Sequence, residues 1–292
     1  KKMDRHFTHF ASVLVWFRRD LRLDDHTALS RAVQDSDKIY GCFVFDQAIL
    51  KDLPAHDRRV NFIHGSVTAL DHQWREQAAN PDSGLLVRYG HAVTEVVQLA
   101  KQIGVQAVFT HHDDEPQSLT RDAQVLGELA NAGIAFHSFK DHVVFERSEV
   151  LTQSGTAYGV FTPYKNAWMK KITPTDLAER RTASKPGQLP AIPAAMRQPV
   201  PDLKSMGFDA VDLTALHIQA GSVGAQALVK DFAKRMTLYE DTRNFPSVKG
   251  PSYLSVHLRF GTVSIRQLAR LAYPQAIKGD AGAQTWLSEL IW

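Results

Sequence analysis

The chain has 292 residues, 44% apolar and 22% charged, which is enough for one large globular domain or two ordinary ones and excludes disordered, collagen-like and coiled-coil classes. Its 34 basic and 31 acidic residues give a net charge of +3, which permits a polyanionic partner without requiring one. The single cysteine, Cys42, excludes disulfides and thiolate metal sites. No run nears the roughly eighteen apolar residues of a membrane span, and Lys1 to Phe10 lacks the apolar core of an export signal, so the expected location is cytoplasmic.

The first half alternates short apolar runs with amphipathic stretches, the pattern of a parallel sheet covered by helices. Strands are predicted at Ser12 to Phe17, Ile39 to Phe45, Leu85 to Tyr89, Ala107 to Thr110 and Ile134 to Phe136. Helices are predicted at Thr27 to Val33 behind Asp24 and Asp25 as caps, at Arg58 to Gln77, at Val93 to Ile103 ending on Gly104, and at Gln117 to Ala132 ending on Gly133. The reading is a doubly wound, five-stranded α/β domain over residues 11–146.

From Leu151 the pattern changes, and the prolines between Thr173 and Asp202 predict a long linker, residues 147–215, wrapping over a surface. Residues 216–292 read as purely helical. Ala225, Leu228, Val229, Phe232 and Met236 form a stripe at helical spacing, Ser264 caps a helix through Leu271 stopped by Pro274, and Ala283 to Trp292 begins another. Only about three helices are expected there, with no helix-end signal after Trp292, so the second domain is read as truncated.

Neither the G-x-G-x-x-G dinucleotide loop nor the G-x-x-x-x-G-K-[ST] phosphate loop occurs, which weighs against nicotinamide dehydrogenases and P-loop enzymes. A G-x-S-x-G elbow and an H-E-x-x-H pair are also missing, which removes the commonest hydrolase readings.

Four motifs stand in order. Trp16 to Leu29 reads W-F-R-R-D-L-R-L-D-D-H-T-A-L; on its own this is a turn in which Arg18, Arg19 and Arg22 pair with Asp20, Asp24 and Asp25. Tyr158 to Trp168, Y-G-V-F-T-P-Y-K-N-A-W, reads as an aromatic anchor in which Phe161, Tyr164 and Trp168 pin the linker to both domains. Tyr239 to Pro246 precedes Gly250-Pro251-Ser252-Tyr253-Leu254-Ser255 and then Leu258 to Ser264, placing small hydroxyls beside backbone amides at a helix start, good ligands for an anion. The last, Trp286-Leu287-Ser288-Glu289-Leu290-Ile291-Trp292, sets Trp286, Glu289 and Trp292 on one side of a helix at about 100° per residue, and Leu287, Leu290 and Ile291 on the other.

Together these motifs resemble the amino-terminal portion of the photolyase/cryptochrome flavoproteins, most like the class I cyclobutane pyrimidine dimer photolyases, and the resemblance runs from Val13 to Trp292. It implies an FAD-binding helical domain after the sheet domain. It also implies that Tyr239, Pro251, Ser252, Tyr253, Leu254, Ser255 and Trp286 line the cofactor. Pro251 stands where the family has Thr, removing one hydroxyl and one N–H, and Ser288 where several relatives have Asn. By the same resemblance Glu289 hydrogen-bonds the damaged pyrimidine pair, Trp292 stacks on it and Arg243 contacts a DNA phosphate, with Lys249 and Arg259 as weaker phosphate candidates.

The cluster His111-His112-Asp113-Asp114-Glu115 is not read as a metal site, because adjacent side chains diverge on extended backbone. The resemblance instead places an antenna chromophore, a folate or a deazaflavin, in the crevice at the carboxyl ends of the strands, near Glu115. The implied activity is light-driven repair of pyrimidine dimers in DNA by a monomeric lyase using reduced FAD, although a fragment of this length is expected to retain little flavin by itself. A cryptochrome photoreceptor is the alternative on the same fold, and a nucleotide-binding or scaffolding module without catalysis is a third reading.

Overall fold

The computed structural model describes residues 8–292, so most of the segment read for an export signal, residues 1–7, lies outside the described residues. The predicted strands form β1 (Phe10–Phe17), β2 (Ser36–Asp46), β3 (Leu85–Gly90), β4 (Ala107–His111) and β5 (Ala135–Phe139). All pair in parallel, in the order β3-β2-β1-β4-β5. Successive side chains of a strand point to opposite faces. Val13, Val15 and Phe17 of β1 therefore enter one core while Leu14 and Trp16 enter another. A sheet buried on both faces needs apolar residues at every position, and this made the strands legible as continuous runs.

The helices of this half are α1 (Thr27–Asp35), α2 (Gln47–Leu50), α3 (Arg58–Ala78), α4 (Ala92–Ile103) and α5 (Pro116–Asn131). Val60, Val67, Leu70 and Trp74 of α3 pack on the first face, and Val96, Ala100, Val125 and Leu129 of α4 and α5 pack on the second. Cys42 fills space in that second core, and burial pushes its thiol up. The start of α1 differs from the prediction. Its cap is neither Asp24 nor Asp25 but His26, whose Nδ1 accepts from the Leu29 N–H at 3.1 Å. Asp25 adopts a left-handed backbone, φ +48°, which turns its carboxylate toward the second half of the chain instead.

After β5 come α6 (Phe161–Lys171) and α7 (Pro174–Leu177), and then an irregular strap to residue 220 holding only three short 3-10 turns. The strap is a structural part of the first domain. Leu189, Met206 and Phe208 enter one face of the sheet and Ile192 and Met196 the other. The buried Gln188 amide donates to the carbonyls of Val33 (3.0 Å) and Ser36 (2.8 Å), occupying backbone acceptors at the end of α1 and the start of β2.

The remaining helices are α8 (Gly221–Ala233), α9 (Tyr239–Thr242), α10 (Ser255–Phe260), α11 (Ile265–Ala276) and α12 (Ala281–Ile291), five where about three were expected, because α9 and α10 are too short to show a helical period. The stripe of α8 packs on Leu268, Ala269 and Ala272 of α11 and on Trp286, Leu287 and Ile291 of α12. Val144, Phe145 and Trp168 belong to this same core. Trp168 meets Phe145, in the segment that follows β5, edge-on at 5.5 Å, and Phe161 meets Trp292 at 4.9 Å, so the anchor touches residues from both sides of the linker. Pro274 does not stop α11, which runs two residues further; so near the helix end the proline forfeits one bond, to the carbonyl four residues before it, and leaves the rest of the ladder intact.

Candidate functional site

The arginines and aspartates of the first motif do not pair among themselves. Arg18 bonds Asp122 and the His111 carbonyl, and Arg19 reaches Asp113 and Glu115. Arg22 donates to Asp141 at 2.7 Å and to the Gly261 carbonyl at 3.0 Å. Asp25 accepts from Arg266 Nε (3.0 Å), Ser264 Oγ (2.6 Å) and Arg270 Nη2 (3.2 Å), and Asp141 accepts from Arg266 Nη2 at 2.8 Å. Adjacent charges on a turn point apart, so Arg18, Arg19, Arg22 and Asp25 meet charged partners far along the chain, while Arg22 also ties the turn by donating to the Asp24 and Asp25 carbonyls at 3.0 Å and 2.7 Å. The result is a buried lattice that joins the sheet domain to α11. Burial works to raise the Asp141 carboxyl, yet Arg22, His111 and Arg266 hold it well below the usual carboxylate range. The two halves meet most closely at Gly261, with φ +64°, where a Cβ would lie 2.0 Å from the Arg19 carbonyl oxygen. Only glycine fits there.

Within the lattice Asp20, His26 and His111 bring three ligand-type atoms within 4.8 Å of one another, all buried. The hydrogen bonds argue against a metal. His26 Nδ1 accepts from the Leu29 N–H, and His111 Nε2 accepts from the Ala28 N–H at 2.8 Å. Each neutral ring therefore carries its proton on the other nitrogen, facing the Asp20 carboxylate at 3.2 Å and 2.6 Å, and these nitrogens have no lone pair to offer. Burial alone would raise the Asp20 carboxyl, but the two imidazoles hold it well below its usual range. The neighbouring His112 and Asp114 turn to Glu146 and Arg147, so the His111–Glu115 run diverges as its extended backbone predicts.

At the carboxyl ends of the strands lies a crevice of about 710 Å³, lined by Trp16, Phe43, Phe45, Ile63, Arg121 and Glu115 among others. It opens beside the point where β1 is flanked by β2 and β4, the switch point of the sheet order, where open α/β sheets take their ligands. The guanidiniums of Arg18 and Arg121 lie 4.6 Å and 5.3 Å from the Trp16 ring. Glu115 Oε1 receives Arg19 at 3.0 Å and Arg259 at 2.7 Å, so this carboxylate ties β1 to α10 at the rim. Arg259, a weaker phosphate candidate, is committed to that bond.

The other predicted residues gather on α9, α12 and the turn before α10. Trp286 is buried, 3% exposed, with its ring 4.5 Å from that of Phe232, and Tyr239 meets Phe232 edge-on at 5.6 Å. Glu289 and Trp292 do not share that environment. Trp292 is 83% exposed, touching Phe161 edge-on at 4.9 Å, and the half-exposed Glu289 pairs with Arg243. Trp286 borders Leu290 on the helical wheel, so it joins the packed arc while the other two remain outside it.

In the turn, Leu254 is buried, Tyr253 has φ +60° with its side chain exposed, and Ser255 begins α10. Ser252 Oγ accepts from the Leu254 N–H at a long 3.4 Å, and the first intrahelical donor of α10 is Leu258, bonded to the Leu254 carbonyl at 2.8 Å. The N–H groups of Ser255, Val256 and His257 precede any helical partner and suit an anion. Sequence reasoning missed Arg235. It donates to the carbonyls of Lys249 (2.7 Å), Gly250 (2.6 Å) and Pro251 (2.7 Å) and to Asp231, holding the turn's oxygens away from those amides. Its helical spacing from Asp231 was the one available signal. Lys249, the other phosphate candidate, pairs with Asp231 at 3.0 Å.

Among the described residues no helix is long and apolar enough to cross a membrane. The DNA photolyase family model matches residues 13–186. A deoxyribodipyrimidine photo-lyase of Synechococcus sp. is 31% identical over 290 residues, covering 97% of this chain and 59% of the relative. The fold is that of a bacterial class III photolyase from Agrobacterium tumefaciens (TM-score 0.81, 23% identity, 100% of this chain and 59% of that one). It is equally that of a Synechocystis sp. cryptochrome (TM-score 0.78, 22% identity, 96% and 59%). The chain thus spans about 59% of the length of curated relatives that it matches. With a family match over residues 13–186, more than half of the chain, and the same fold throughout, the chain belongs to the DNA photolyase family.

Proposed function

We propose that this chain is the lesion-reading and antenna-bearing part of a deoxyribodipyrimidine photo-lyase, which repairs cyclobutane pyrimidine dimers in DNA under blue light. The observation that carries the reading is that α9 and α12 bring Arg243 onto Glu289 beside Tyr239 and Trp286, whose rings both meet the buried ring of Phe232. A carboxylate and an indole three residues apart at the end of α12 are the two groups a base-reading site needs. Ser252, Leu254 and Ser255 would hold the phosphates of FAD, the amides at the start of α10 supplying donors, and Tyr239 and Trp286 would line the site. FAD, when bound in its reduced form, supplies the photoexcited electron that splits the dimer.

A dimer inside a duplex is out of reach, and photolyases are among the enzymes that take their target base out of the stack. Trp292 offers an exposed aromatic surface for the extruded pair, worth roughly 1–3 kcal/mol per stacked base. Glu289 hydrogen-bonds the pyrimidine edge, and Arg243 neutralises a backbone phosphate. The crevice of about 710 Å³ beside Trp16 and Glu115 would take the antenna, a folate or a deazaflavin. The protein would act as a cytoplasmic monomer.

The test is blue illumination of the flavin-loaded protein with dimer-containing DNA, scored as recovery of intact thymines. Recovery supports repair. Full flavin occupancy without recovery rejects repair and favours the cryptochrome reading.

A further inference from the structure

We infer that Arg235 is the positioning residue of the turn before α10: it does not touch the anion, but gathers the turn's carbonyls on one side so that the amide left over faces outward to receive a phosphate. The inference rests on the FAD reading above and adds to it the device that shapes the site. Arg235 lies two residues beyond α8, and its side chain is only 17% exposed. Its Nε and Nη2 donate to Asp231 at 3.2 Å and 3.0 Å, Nη1 reaches the carbonyls of Lys249 and Gly250, and Nη2 that of Pro251. A guanidinium has five donors, and these bonds use them all, so none remains for a phosphate. Asp231 also balances the charge, which leaves geometry as the arginine's contribution.

In a planar trans peptide the C=O and the following N–H point opposite ways. Drawing in the carbonyls of residues 249, 250 and 251 therefore turns the amides of 250, 251 and 252 outward. The Gly250 N–H is taken by the Val248 carbonyl at 2.7 Å, and Pro251 has no N–H. Ser252 carries the remaining donor, and among the described residues nothing accepts from it. Pro251, which offers an anion neither hydroxyl nor amide, thus serves through its carbonyl as the third acceptor of the clamp. A Cβ on Gly250 would lie 2.6 Å from the Thr242 carbonyl oxygen, so glycine is what lets the turn dock on the end of α9 within reach of Arg235. Tyr253 stands in the left-handed region at φ +60°, an unfavourable backbone for a bulky residue that the surrounding bonds must hold.

The experiment titrates the protein with FAD and with riboflavin, which has the flavin ring without the phosphates, and follows flavin fluorescence. Arg235→Met keeps an apolar stem and removes every donor; it is expected to weaken FAD about tenfold or more, the scale of one hydrogen bond to a charged group, and to leave riboflavin within about twofold. Arg235→Lys keeps the charge but carries its donors on one nitrogen, which cannot span Asp231 and three carbonyls, and is expected to leave most of the FAD loss in place. Arg75→Met removes a guanidinium bonded to Asp71 and to the Pro81 carbonyl in the sheet domain, and is expected to change neither affinity. The assignment is overturned if FAD and riboflavin weaken together, as a general loosening of the fold would make them, or if Arg235→Lys restores full FAD affinity, which would make the arginine a charge and not a clamp. A wild-type protein that takes up neither flavin overturns the flavin reading itself, and the role of Arg235 with it.

Discussion

The sheet domain and the helical half treat their charged residues in opposite ways. In the first, Asp20, Arg22, Asp25 and Asp141 are buried and every one has several fixed partners, some of them in α11. In the second, Arg243 and Glu289 pair with each other beside Tyr239, in contact with solvent. Saturated buried charges make a joint that cannot move without large cost, while lightly paired exposed groups can exchange partners freely. The molecule has placed its rigidity at the junction and an exchangeable charge pair at the surface.

The comparison breaks most severely if the junction is emptied of one carboxylate. Asp141→Ala strands Arg22 and Arg266 in the interior, and a loss of about 3–5 kcal/mol is expected in denaturant unfolding. A loss under about 1 kcal/mol would show that water enters the junction and that its rigidity has been overstated.

Acid should act next. Burial lowers His257 and His142 to about 4, and also lowers His111, so the folded protein keeps these rings neutral. The unfolded chain takes up protons near its ordinary pKa of about 6.5, and stability therefore falls as pH drops from about 6.5 toward 4. The depressed carboxylates Asp20 and Asp141 contribute their loss only at lower pH still, below their unfolded value near 4. His257→Gln should shrink the drop between pH 6.5 and 4 by about 2 kcal/mol, read from denaturation midpoints at the two pH values. An unchanged drop would mean that His257 titrates normally. On the open face the effect should be smallest. Trp292→Ala is expected to leave unfolding stability within about 0.5 kcal/mol while weakening binding to dimer-containing DNA.

Much of this was legible in the residues alone. The five strands, the caps Ser264 and Gly104 and the apolar stripe of α8 depend on local period and local backbone preference, which the sequence carries directly. The candidate recognition residues came from motif likeness, and the structure brings Tyr239, Arg243, Trp286 and Glu289 together across α9 and α12. Three things were not legible. His26 as a cap depended on the left-handed turn at Asp25, the clamp of Arg235 on the 249–251 carbonyls depended on a loop returning to α8, and the partners of Arg22 and Asp25 lie more than a hundred residues away.

What the sequence determined by itself was the set of elements and the presence of paired charges, because both follow from neighbours along the chain. Which charge meets which, and that Trp286 joins the packed side of α12, were decided only by tertiary packing. Burial and charge pairing are properties of what surrounds a side chain in space, and here those surroundings come from segments that the sequence keeps far apart.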